Sequence, residues 1–160
     1  MDARSSSSSD ADGSFRSFLA RSLDAIAREA PRLHGALARR LRGARVRLCV
    51  DDERVAVASD GSVVRVGDDR ADATVELRTD SATLLDLTSG AIGFLDAALE
   101  DRMVVVGGVD EVVGFYDALV LYLQGAVRSA SLAWLLDEFR TSRRGSAPQN
   151  EDGQWPGASM

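Results

Sequence analysis

The chain has 160 residues, 19 basic and 25 acidic side chains and a formal net charge of -6, and every basic residue is arginine. The acidic balance excludes the basic face that nucleic-acid binding usually needs, and the lack of lysine removes Schiff-base and P-loop chemistry. One histidine, His34, and one cysteine, Cys49, allow no intrachain disulfide and no ordinary Cys/His zinc site, and no G-x-S-x-G elbow is present to seat a hydrolase nucleophile.

A chain of this length is expected to form one domain with a sizeable core. Residues 1–13 hold the serine run Ser5–Ser9 with Asp10, Asp12 and Gly13, a composition that reads as a disordered leader. This stretch lacks the apolar segment of a signal peptide. Ser14 then suits the cap of a first helix, with Phe15, Phe18, Leu19, Leu23 and Ile26 at helical spacing. Pro31 is expected to restart that helix. Leu33, Leu37 and Leu41 extend its stripe, and Gly43 reads as the stop. Arg39, Arg40 and Arg42 read as a solvated face.

The period then changes from helical to alternating. Val46, Leu48 and Val50 alternate with Arg45, Arg47 and Cys49, the pattern of a half-buried strand. Turn signals at Asp51-Asp52-Glu53, Ser59-Asp60-Gly61 and Gly67-Asp68-Asp69 separate further strands through Val57, Val66 and Arg78. Short strands joined by tight turns imply an antiparallel meander. Asp80 or Ser81 caps a short helix stopped at Gly90, and a second short helix spans Ile92 to Leu99. Arg102–Val106 is a fifth, valine-rich strand. Asp110 and Glu111 favour the start of a long helix through its dipole. Its stripe holds Val112, Tyr116, Leu119 and Leu123. A continuation from Ser129 to Phe139 is too apolar to stand exposed on a monomer. It is expected to close the mouth of a binding site as a lid, or to make a contact between chains. From Thr141 to Met160 the composition again reads as a disordered tail, which leaves 14–140 as the folded unit.

The order of helix, strands, two short helices, strand and long helix resembles the sterol carrier protein type 2 domain, in its stand-alone bacterial form. The stretch Ala71–Leu123 carries most of the resemblance. It holds Val75-Glu76-Leu77, Asp80-Ser81, Leu84 with Leu87, Gly90, Ala97-Ala98 and Arg102-Met103-Val104-Val105-Val106-Gly107. Asp101-Arg102 stands where that family often has Gly-Lys, and Gly108 where it often has Asp or Asn.

The resemblance implies an α+β fold in which helices cover one face of a five-stranded, mostly antiparallel sheet. It further implies an apolar tunnel between the layers for a sterol, a fatty acyl chain or another lipid. The residues it points to are Leu84, Leu87, Leu95, Leu99, Val104, Val106, Val112, Phe115, Tyr116, Leu119 and Leu123. Taken singly, each of these could equally be plain core. The implied partner is a lipid-like small molecule, with no cofactor, no metal and no catalysis. Contact with a membrane would be transient at most, and the chain a cytoplasmic monomer or dimer. Some bacterial relatives serve quinone biosynthesis, so an accessory protein presenting a lipid to a partner enzyme is the alternative. His34 lies one position off the apolar stripe and reads as a boundary residue. Cys49 reads as a strand residue facing away from the core. The acidic pairs Asp51-Asp52 and Asp68-Asp69 read as turn formers rather than catalytic carboxylates.

Overall fold

Ser14 starts the fold: its backbone is extended and its hydroxyl accepts the Ser17 amide at 3.1 Å. That bond satisfies one of the donors a helix leaves open at its N-terminus. A computed structural model describes residues 13–69 and 72–145. The serine run, and the tail beyond Gly145, lie outside the described residues.

Helix α1 (Phe15–Glu29) buries Phe15, Phe18, Leu19, Leu23 and Ile26 on one face. Ala30 leaves the helical region just before Pro31, and α2 (Pro31–Arg40) begins at that proline, whose fixed φ suits a first helical position. Gly43 turns the chain at φ +78°, a conformation only glycine adopts freely. The strands follow: β1 (Arg45–Val50), β2 (Glu53–Ser59), β3 (Val64–Gly67) and β4 (Val75–Thr79). Helix α3 (Ser81–Ser89) is capped by Asp80, whose carboxylate accepts the Thr83 amide at 2.7 Å. Helix α4 (Phe94–Leu99), strand β5 (Met103–Gly107), helix α5 (Val109–Arg128) and helix α6 (Ala130–Gly145) complete the order.

The sheet runs β3-β2-β1-β4-β5. The meander expected from the sequence holds for β1 to β3. It ends there, because β4 crosses to the far side of β1 and pairs with it in parallel, Leu48 beside Leu77. The other three pairings are antiparallel, so the sheet is mixed. Burial explains the arrangement. β1 buries Val46, Leu48 and Val50 on its inner face and belongs at the centre, where parallel pairing is best protected. β3, with one buried valine in four residues, takes an edge.

Among the described residues, helices cover the inner face only. Gly125 of α5 lies against α1, where an added Cβ would come within 2.7 Å of Ile26 Cγ2. The two helices therefore approach more closely than any larger residue would permit. Helix α6 folds back at Ser129, bent by 101° from α5, and buries Leu132, Leu135 and Phe139. It continues past Arg140, where the sequence suggested the domain would end. The reason is Arg143, which pairs with Glu53 and with Asp51 (3.5 Å) and lies 4.9 Å from the centre of the Phe139 ring. At the start of the fold the Gly13 carbonyl accepts a bond from the Ser142 hydroxyl at 3.5 Å, so the two ends of the folded chain meet. No single helix among the described residues is long and apolar enough to cross a membrane.

Candidate functional site

A cavity of about 100 Å³ lies between the helices and the inner face of the sheet. Its floor is aliphatic: Val46 and Leu48 of β1, Val57 of β2, Val64 of β3 and Leu77 of β4. These residues share the floor because strand alternation sends every second side chain to the same face. Helix α5 roofs it with Phe115, Ala118, Leu119 and Tyr122, which recur at helical spacing along one stripe. Ala118 is central to that stripe and leaves room that a leucine would fill. Leu84, Leu85 and Thr88 of α3 form a side wall. At one end, Phe15 and Phe18 of α1 meet Phe139 of α6, with Phe18 and Phe139 stacked at 4.7 Å. Leu136 and Phe139 bring α6 into the wall.

Thr88 and Tyr122 are the wall residues that carry polar side chains. Thr88 Oγ1 donates to the carbonyls of Leu84 (2.9 Å) and Leu85 (3.0 Å). Tyr122 donates to Ser22 Oγ at 2.8 Å, and Ser22 donates in turn to the Leu19 carbonyl at 2.7 Å. Burial pushes the Tyr122 phenol up to about 12, against the opposing effect of the Ser22 bond. Both hydroxyls are thus committed within the chain, and the wall offers an occupant hydrocarbon. A second cleft of about 280 Å³, between α2, β1 and the start of α5, is roomier but polar, with Arg40, Arg42, Asp110 and Glu111 on its sides.

Of the residues singled out from the sequence, Leu84, Phe115 and Leu119 line the cavity. The other eight do not. Leu87 is buried in the core outside the lining, and Val112 and Leu123 are half-buried on α5. Tyr116 is on the outer side of α5 and packs edge-on against Phe94 at 5.1 Å. Leu95 and Leu99 are 67% and 75% exposed, because α4 turns Ala97 inward and packs closely through that small residue. Val104 and Val106 face outward, because the pairing of Leu77 with Val105 and of Thr79 with Met103 sends the odd-numbered residues of β5 to the inner side.

The sequence led to the expectation that Ser129–Phe139 closes the site as a lid or makes a contact between chains, but the contribution of α1 to the lining was missed. The amphipathic stripe Phe15–Ile26 was the available signal, since a stripe that rich in aromatic side chains must face the centre of the fold. His34 and Cys49 both lie outside the cavity. Cys49 sits on the outer face of the sheet, where partial burial pushes its thiol up and away from the reactive thiolate. Among the described residues, no three His, Cys, Asp or Glu side chains are grouped to hold a metal ion.

No protein-family model matches the sequence, and no curated protein matches it. Solved structures do. A sterol carrier protein domain 2 from Helicoverpa armigera superposes with a TM-score of 0.54 at 15% identity, over 78% of this chain and 97% of that one. A UbiJ-SCP2 ubiquinone synthesis protein gives 0.51 at 19% identity, over 64% of this chain and 84% of the other. The apo form of sterol carrier protein 2 from Yarrowia lipolytica gives 0.50 at 14% identity, over 70% and 94%. The chain, a five-stranded mixed sheet packed against helices, has the sterol carrier protein fold.

Proposed function

We propose that this chain binds the apolar part of a lipid-like molecule between its sheet and its helices, without catalysing a reaction. One observation carries the reading: the cavity wall is hydrocarbon, and both of its hydroxyls are bonded within the chain. Burial of apolar surface is then the driving force. About ten methylenes at ~0.8 kcal/mol each contribute about 8 kcal/mol, the free energy of a micromolar complex.

The cavity of about 100 Å³ is small for this task, since pockets for drug-sized ligands run to roughly 300–1,000 Å³. Uptake therefore enlarges it, and α6 is the element that gives. It hinges on Ser129, contributes Leu136 and Phe139 to the wall, and is tied to α1 and β2 by half-buried ion pairs, Arg21–Glu138 and Arg143–Glu53. In this reading α6 is the lid.

Titration with a fluorescent long-chain fatty acid tests the proposal. Saturable binding at micromolar or better affinity, displaced by unlabelled fatty acid, is expected. A probe that shows no saturable, displaceable binding removes the reading. The likeness to a ubiquinone synthesis protein supports a second version, in which the bound lipid or quinone intermediate is presented to a partner enzyme. An apolar surface outside the cavity, on α4 and α5, favours that version, because holding a lipid does not require it.

A further inference from the structure

Around the contact between Phe94 and Tyr116, five apolar side chains point into solvent. Leu95 and Leu99 lie one turn apart on α4, and Val109, Val113 and Tyr116 lie on one stripe of α5. None belongs to the cavity wall. Scattered exposed leucines need no explanation, but exposed apolar residues on two helices that meet through Phe94 and Tyr116 do. The charge along this stretch of chain is mostly acidic, with Arg40 and Arg42 beside Asp110 and Glu111 at the far end of the set. Between Gly90 and Val127 the acidic residues are Asp96, Glu100, Asp101, Asp110, Glu111 and Asp117, and Arg102 is the only basic one. Arg102 is already paired with Asp86 at 2.6 Å, and Asp117 with Arg40 at 2.6 Å. Asp96, Glu100, Asp101, Asp110 and Glu111 are exposed.

We infer that this acid-rimmed apolar patch docks a partner protein through a basic amphipathic helix, apolar on one face and arginine- or lysine-rich along its edges. Leu95 and Leu99 would meet the apolar face of that helix, and the carboxylates its rim. The same charges argue against the other occupants. An anionic membrane surface repels the rim. A two-fold contact with a second copy would set the patch against itself, carboxylates facing carboxylates.

The test uses the full chain and a labelled synthetic helical peptide of leucine and lysine, with a leucine–glutamate peptide of the same pattern as control. Fluorescence anisotropy is expected to show saturable one-to-one binding of the lysine peptide and none of the glutamate peptide. Leu95→Ser with Leu99→Ser should weaken binding at least tenfold, while Val63→Ser, exposed beside β3 at the opposite edge of the sheet, should leave it within twofold. Uptake of the fluorescent fatty acid should be unchanged in the Leu95→Ser/Leu99→Ser protein, so failure here and failure of the cavity reading are separate results. Equal binding by the Leu95→Ser/Leu99→Ser protein would overturn the inference, since the peptide would then be responding to net charge alone. Two other results would overturn it as well: flotation with phosphatidylglycerol vesicles that the same pair of substitutions abolishes, or a solution mass of two chains that it halves.

Discussion

Tyr122 reaches from α5 to α1, where its half-buried side chain donates its hydroxyl to Ser22. Burial raises its pKa from 10.0 to about 12. The stability this contributes is complete below pH 10 and is lost as the pH climbs toward 12, because the unfolded chain then ionises its tyrosine while the folded chain must hold the proton. The slope is at most about 1.4 kcal/mol per pH unit. Urea denaturation at a series of alkaline pH values should therefore show the native chain weakening more steeply than Tyr122→Phe. Parallel curves would contradict the burial. Leu119→Trp should fill the cavity and cut fatty-acid uptake at least tenfold without lowering the melting temperature, and unchanged uptake would place the ligand elsewhere. At this scale the stripe read from the sequence for α5 was off-centre, although its Leu119 does line the cavity. Val112, Tyr116 and Leu123 are large and apolar, so they drew the stripe one position away from Phe115, Ala118 and Tyr122. A small alanine and a hydroxyl-bearing ring are weak signals of an inner face, yet Ala118 provides the room and Tyr122 finds its partner only in the folded chain.

Helix α6 shows how an element can be legible in outline while its fastening is not. Its apolar run demanded a docking place, and the structure gives it one over α1 and the cavity. Arg143, by contrast, lay in a stretch whose composition reads as tail, and its pairing with β2 depends on residues about ninety positions away. The arginine is partly exposed, so its pairs with Glu53 and Asp51 contribute only about 1 kcal/mol after screening. Arg143→Ala should accordingly speed release of the fatty acid about fivefold, measured by stopped-flow transfer to excess acceptor vesicles. An unaltered release rate would mean that α6 is a fixed wall. The packing of α5 on α1 gives an expectation opposed to helix propensity. Alanine is the better helix former, but Gly125→Ala drives a methyl into the buried, β-branched Ile26. A loss of about 1–3 kcal/mol is expected from overpacking, and a stabilised variant in denaturant titration would show that the helices have slack. In β5, the run Met103–Val106 carries no alternation, so only its register with β4 decides which valines face inward.

The molecule as a whole was legible in its order of elements and in its two layers, because caps, periods and turn residues act locally. Ser14, Asp80 and Gly90 mark helix ends in the structure as they do in the sequence. The parallel placement of β4 beside β1 was hidden, since pairing across an intervening hairpin leaves no local mark. The meeting of Gly13 with Ser142 has a further consequence. The order in which the chain is threaded through this fold is not what holds it together. Joining the two ends by a few glycines and opening the chain at the exposed Asp60–Gly61 turn between β2 and β3 should give a circular permutant. That permutant should keep the same far-ultraviolet circular dichroism and a melting temperature within a few degrees, and should take up the same probe. The connection cut is short and local, whereas the new one replaces a contact the native chain already makes.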